Sequence, residues 1–299
     1  MPAWPAPERG LTANRVIGVD LGGTKILAGL IEDGHVVQTV EHRTPTTSQE
    51  ALFDGLAEAV RELPLDGVDA VGFGIPSRFD YRTGHALGAV NIPLSEVDFV
   101  AAMHDRLDLP VGVENDASCA AFAEHVHGAG QGTSYFCTLT LGTGVGGGII
   151  FAGKLFHAWT ELGHMVIVAD GAPCNGACAG RGHLESYCSG SAATRVAQEL
   201  LGPDATAHDL VEQHHPALEG IGHYLGIGIG SLVNIFGFER VAIGGGFGVA
   251  AFEQLLPAAR QAVLREALGN CGRDLQIELA QLGEAAGMIG AGLVALEAL

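Results

Sequence analysis

Regular patterning starts at Arg15. From there "RVIGVDLGGTKILAGLIEDGHVVQTVEHRT" alternates short apolar runs with glycine-bearing turns and predicts strand, Gly turn, strand, Asp-Gly turn, strand. Asp33-Gly34 between two apolar runs is a strong hairpin signal, because both residue types tolerate the positive φ of a tight turn. "SQEALFDGLAEAVREL" changes to helical spacing, with Ser48 placed to cap its N-terminus. "VDAVGFGIP" is an uninterrupted apolar run ending at Gly74 and Pro76, which predicts a buried strand. "PVGVENDASCAAFAEHVHG" predicts a short strand entering a helix, with Asn115 and Asp116 at the joint. Residues 1–14 are Pro-rich and aperiodic and predict a flexible tail.

The opening pattern then recurs. "YFCTLTLGTGVGGGIIFAGKLF", Tyr135 to Phe156, repeats the same plan of strand, Gly-rich turn, strand, Gly turn, strand. Two copies of one hairpin unit more than a hundred residues apart predict a duplicated α/β domain with a cleft between the halves and a boundary near residue 116. Helical spacing over "GSAATRVAQELLG", "ALEGIGHYLGIGIGSLVNIFG" and "AAGMIGAGLVALEAL", and a strand "RVAIGGGFG" that ends in glycines, complete the pattern.

Composition narrows the function. Of 299 residues 47% are hydrophobic, enough for a substantial core, and only 16% are charged. The formal net charge is −19 and there are only two lysines, Lys25 and Lys154, which disfavours nucleic acid and anionic membranes as partners. The apolar run Tyr224–Phe236 is too short to span a bilayer. Six cysteines and no secretory h-region in the first thirty residues fit a reducing, cytoplasmic setting, with thiols or metal ligands rather than disulfides. Cys119, Cys137 and Cys188 alternate with apolar neighbours and are expected in the core; His125, His127, His214 and His215 are expected on the surface.

Candidate chemistry sits at the strand ends. "GVDLGGTK" places Asp20 at the end of a buried strand, followed by Gly22, Gly23 and Thr24 in a turn. Such a turn is either plain hairpin geometry or a cradle whose N–H groups meet a phosphate, with the acid beside a hydrated Mg²⁺. "TLGTGVGGG" repeats the motif in the second half, and Gly244-Gly245-Gly246 form a third cluster. Neither loop is a P-loop or a Gly-x-Gly-x-x-Gly fingerprint, since each opens onto another strand. Asp116 reads either as a helix N-cap or as a general base that takes a proton from an attacking hydroxyl.

Five segments, "IGVDLGGTKI", "GFGIPS", "VENDASCAAFAE", "LGTGVGGGI" and "ELGHMVIVADG…GRGHLE", occur in the order and spacing of the ROK family of sugar kinases and sugar-responsive repressors, which the chain resembles over about residues 16–295. Within that family it looks most like bacterial glucokinases, especially through "GIPSRFDYRTGHALGAVNIPL". The resemblance implies an actin-like ATPase fold, that is, a duplicated ribonuclease H-like α/β fold with two domains closing on sugar and ATP. A small N-terminal domain over residues 15–115, joined by a C-terminal helix at about 286–299, and a large domain over residues 116–285 are then expected. It makes Asp20, Gly22, Gly23, Thr24 and Lys25 the first phosphate motif, Gly142, Thr143, Gly144 and Gly146 the second, and Gly244, Gly245 and Gly246 the adenosine motif. Asp116 matches the family's catalytic base, and Asn91, Asn115, Glu161, His164 and Glu185 match its sugar ligands. The implied reaction is transfer of a phosphoryl group from Mg-ATP to the 6-hydroxyl of D-glucose, in a homodimer or homotetramer. N-acetylmannosamine, N-acetylglucosamine, mannose and fructose are alternative acceptors, and polyphosphate an alternative donor.

The stretch from Glu161 to Glu185 departs from the family pattern twice. Family members bind structural zinc through a His and three Cys; here the order is His164, Cys174, Cys178, His183, so one cysteine is exchanged for His and one has shifted. The donors still compose a Cys₂His₂ set able to hold Zn²⁺. Among other classes, a repressor is disfavoured because no basic helix precedes the first phosphate strand, and a non-catalytic sugar sensor because Asp116 and both Gly loops are present.

Overall fold

The computed structural model describes residues 15–80, 83–89, 92–174 and 178–299; the tail expected over 1–14 and the sugar ligand expected at Asn91 lie outside the described residues. The chain forms two compact units. One holds the described residues up to Ala123 with His157–Trp159 and Glu284–Leu299; the other holds Glu124–Phe156 and Thr160–Gly283.

The first unit begins with an antiparallel meander, β1 (Arg15–Leu21), β2 (Lys25–Glu32) and β3 (His35–Arg43). Asp33 and Gly34 take φ of 52° and 80°, as the hairpin signal requires. Helix α1 (Gln49–Arg61) follows, with the Ser48 side chain accepting the Ala51 N–H at 3.1 Å. Strand β4 (Ala70–Ile75) runs parallel to β1. Three two-residue strands, β5 (Phe79–Asp80), β6 (His85–Ala86) and β7 (Val97–Asp98), form a small separate sheet. Helix α2 (Phe99–Leu107), strand β8 (Val111–Asn115, parallel to β4) and helix α3 (Asp116–His127) come next. The main sheet has the order β3-β2-β1-β4-β8.

The second unit repeats the plan. Strands β9 (Phe136–Leu141), β10 (Val145–Phe151) and β11 (Lys154–Leu155) form the antiparallel part. After α4 (Glu185–Cys188), α5 (Gly190–Leu201), α6 (Ala207–Glu212) and α7 (Ala217–Phe236), strand β12 (Arg240–Gly244) pairs parallel to β9. Helix α8 (Gly246–Glu266) and the one-turn α9 (Cys271–Asp274) lead to β13 (Gln276–Leu279), parallel to β12. The order β11-β10-β9-β12-β13 matches the first sheet strand for strand. This is the duplicated α/β arrangement of the actin-like ATPase fold.

The last helix, α10 (Ala286–Glu297), belongs to the first unit and explains part of its glycine content. Gly18, Gly72 and Gly112 are lateral neighbours on β1, β4 and β8. A methyl group on them would lie 2.0 Å from the Met288 carbonyl oxygen, 1.8 Å from that of Ala291 and 2.7 Å from that of Val294. The helix backbone therefore rests directly on a row of bare Cα atoms. On the opposite face, Phe53, Phe73 and Phe99 pack edge to face with centroids 5.4–5.6 Å apart.

Candidate active site

Asp20 is the penultimate residue of β1, and Asp116 opens α3 at the end of β8, so both carboxylates lie at carboxyl ends of strands in one sheet. Asp20 is closely enclosed. A methyl group at Gly287 in α10 would fall 2.7 Å from its carboxyl carbon, so only glycine lets the helix start there. Burial pushes the Asp20 carboxyl from its ordinary 3.8 up to about 7; the charge of Asp116 adds to the rise and that of Lys25 opposes it. Two carboxylates in electrostatic reach of one another are the arrangement that a divalent cation relieves, so these residues fit a Mg²⁺. Asn115 caps the helix: its Oδ1 accepts the N–H groups of Ala117 at 3.0 Å and Ser118 at 3.2 Å. Asp116 Oδ1 accepts the adjacent Ala117 N–H at 2.9 Å.

The first phosphate turn is braced from outside. Gly22 donates its N–H to the Lys25 carbonyl at 2.8 Å, and the Thr44 hydroxyl donates to the Gly22 carbonyl at 2.7 Å. Gly23 and Thr24 are exposed at its tip. Lys25 turns its ammonium to Glu284 at 3.0 Å and Glu41 at 3.5 Å, and these partners raise its pKa. Thr44 was not anticipated, because a brace twenty-two residues away leaves no local signal.

In the second unit three glycine-bearing segments converge. Gly142 donates to the Gly144 carbonyl at 3.0 Å and accepts the Gly190 N–H at 2.7 Å, which ties the turn to the start of α5. Gly245, at φ 78°, approaches the Leu141 backbone so closely that a methyl group would sit 2.6 Å from it. Gly246 then opens α8, a 21-residue helix that the sequence pattern did not anticipate. The turn Gly142–Gly146 and the N-termini of α5 and α8 thus gather backbone N–H groups in one region, as anion binding requires. Glu185 enters the same region: its Oε2 accepts the Val145 N–H at 2.9 Å.

Glu161 and His164 flank a single 3₁₀ turn, and both side chains are exposed. Beyond it the chain doubles back through bridges between Val166 and His183 and between Pro173 and Arg181. This hairpin gathers His164, Cys174, Cys178 and His183, whose donor atoms all lie within 4.8 Å of one another. Nδ1 of His164 is 3.1 Å from Nδ1 of His183 and 3.6 Å from Sγ of Cys174; Nδ1 of His183 is 3.9 Å from Sγ of Cys178. A tetrahedral zinc with the usual Zn–N and Zn–S bonds spaces its donors by roughly 3.3 to 3.8 Å. The cluster is therefore compatible with a structural zinc, with Nε2 of His164 outside the donor set.

Cys119, Cys137 and Cys188 are fully buried, as their apolar company suggested. His125 corrects the surface expectation: it is half-buried, stacks on Phe136 with centroids 6.3 Å apart, and burial lowers its pKa. Among the described residues no helix is long and apolar enough to cross a membrane.

Known proteins share this architecture and sequence over nearly their whole length. A glucokinase from Streptomyces coelicolor is 33% identical, the alignment covering 94% of this chain and 97% of that protein. The crystal structure of a ROK hexokinase from Thermus thermophilus superposes with a TM-score of 0.82 at 33% identity, over 95% of this chain and 98% of that one. A ROK family glucokinase from Streptomyces griseus, solved in complex with glucose and AMPPNP, gives 0.79 at 32% identity, over 95% and 100%. The profile of the ROK family matches residues 16–298, and the chain belongs to that family.

Proposed function

We propose that the protein is an ATP-dependent glucokinase, which transfers the γ-phosphoryl group of ATP to the 6-hydroxyl of D-glucose and releases ADP and glucose 6-phosphate. The observation that carries this reading is the pair Asp20 and Asp116 at the carboxyl ends of β1 and β8, the strands on either side of β4 in one sheet, with Asp116's charge felt at Asp20. It is supported by relatives named glucokinase at 33% identity and by a relative that binds glucose and AMPPNP.

In this reading Asp116 is the general base. Its carboxylate accepts the proton of the 6-hydroxyl as the sugar oxygen bonds to the γ-phosphorus and the bond to the β,γ-bridging oxygen breaks. Asn115 positions the sugar beside it. Glu161, His164 and Glu185 accept further sugar hydroxyl protons, which discriminates against analogues that leave a buried acceptor unpaired. Asn91 is a further proposed ligand. Gly22 and Gly142 close the two turns with their own N–H groups, and the N–H groups of Gly23 and Thr24, and of Thr143, Gly144 and Gly146, hold phosphate oxygens; Gly244–Gly246 admit the adenosine. Lys25 adds positive charge near the phosphates, tempered by Glu41 and Glu284. Asp20 would hold a hydrated Mg²⁺, which would supply charge neutralisation at the phosphates. Zn²⁺ held by His164, Cys174, Cys178 and His183 supplies rigidity to the hairpin that carries His164.

ATP as donor implies a cytoplasmic enzyme, and a homodimer or homotetramer is the proposed assembly. The test measures sugar phosphate formed from glucose, mannose, fructose, N-acetylglucosamine and N-acetylmannosamine, each with ATP or polyphosphate as donor. Highest kcat/KM with glucose and ATP is expected; turnover of another pair with none of this one refutes the assignment.

A further inference from the structure

Glu114, the residue before Asn115 in β8, has 1% of its side chain exposed. Its Oε1 accepts the Asn115 N–H at 2.7 Å, and its Oε2 lies 2.7 Å from Nδ1 of His157. Nε2 of His157 in turn lies 3.4 Å from Oε2 of Glu297, the last residue of α10. An ionised carboxylate only accepts, so a ring with a carboxylate on each nitrogen carries a hydrogen on both: His157 is an imidazolium. Hydrogen bonds from Glu114 and then Glu297 push its pKa from 6.5 up to about 10. The charge therefore persists through the neutral range.

The location gives this charge its purpose. The buried Cys119 thiol is pushed well up by burial and then by Glu114, Asp20, Asp116 and Glu297, so four carboxylates lie within electrostatic reach of one buried thiol of the first unit. A buried carboxylate deprived of its cationic partner turns toward water. Glu114 would then no longer offer the Asn115 N–H a charge-assisted acceptor. Asn115 is the residue whose side chain caps α3, and Asp116 is the next one. The His157 segment is itself fixed, since Trp159 donates its ring N–H to the Phe79 carbonyl at 2.7 Å and lies under the Arg78 guanidinium at 5.4 Å.

We propose that His157 is a positioning residue: its imidazolium, held between Glu114 and Glu297, keeps Glu114 on the Asn115 N–H and so fixes the turn that presents Asp116. The inference rests on the reading of Asp116 as the base of a sugar kinase. It is tested in the full chain with His157→Gln and His157→Arg, by the Asn115 amide resonance in labelled protein and by kcat and KM for glucose. His157→Gln should move the Asn115 amide proton upfield and lower kcat about tenfold, the cost of a base displaced by a fraction of an ångström, with KM within about twofold. His157→Arg, which keeps charge and donors, should recover most of both. The wild-type protein offers a readout without any variant: the same amide should shift as pH rises through about 10. An Asn115 amide that stays put in His157→Gln and across that titration overturns the proposal, as does an Arg variant no better than Gln. A wild-type protein that turns over no sugar refutes the kinase reading and the base with it, whereas an unmoved amide in an active enzyme refutes the clamp alone.

Discussion

Replacing Asp20 by Asn should stabilise the protein and abolish its turnover. The folded carboxyl titrates at about 7 against its ordinary 3.8, because burial and the neighbouring Asp116 disfavour its charge. The folded state therefore holds this proton more tightly than the unfolded chain. The penalty is absent below pH 3.8, grows as pH rises, and is complete above about 7. The gap corresponds to roughly 4 kcal/mol at alkaline pH. Asn keeps the shape of the side chain and carries no charge to desolvate. Urea unfolding of both proteins, followed by circular dichroism, should give a stability difference that is small at pH 4 and widens to between about 2 and 4 kcal/mol at pH 8.5, in favour of the variant. Turnover should fall in the same variant, the trade expected where a strained group serves a site. A difference that stays flat from pH 4 to 8.5 would mean that Asp20 ionises as freely in the folded protein as out of it, against this prediction.

Two further predictions concern structure. Gly72→Ala places a methyl group 1.8 Å from the Ala291 carbonyl oxygen and should lower stability by about 3 kcal/mol or lift α10 from its sheet, seen as a lower thermal midpoint and lost protection of α10 amides. The purified protein should contain about one zinc per chain by elemental analysis, and His183→Ala should lose it with a fall in thermal midpoint; full zinc content in that variant would exclude His183 as a ligand.

What could be read from the sequence was local. Asp33-Gly34, Ser48 and the two glycine hairpins each declare their geometry within a few residues, and the repeat of the hairpin declares the duplicated fold. The Cys₂His₂ donors were also visible, because residue type alone restricts what they can hold. The rest depends on pairings across the chain. Gly18, Gly72 and Gly112 look like ordinary strand glycines until α10, nearly two hundred residues beyond the last of them, is laid over the sheet. Helix α8 was hidden by Gly246 and Gly248 at its start and Pro257 within it, all of which score against a helix although its buried face outweighs them. Glu114 and His157 are forty-three residues apart and meet only once β8 is in place. Asp116 could be placed at a strand–helix joint, but its proximity to Asp20 follows from strand order, which local pattern does not encode.

In the proposed reaction the Asp116 carboxylate removes the proton from a glucose hydroxyl facing the terminal phosphate of ATP. Phosphorus NMR of a single-turnover mixture of Mg-ATP and glucose tests it most directly, with wild type and Asp116→Asn compared and glucose binding measured alongside. Glucose 6-phosphate is expected from the wild type, and from the variant a rate lower by about 10² to 10⁴ with glucose still bound. Glucose 6-phosphate formed by the variant at the wild-type rate would contradict it.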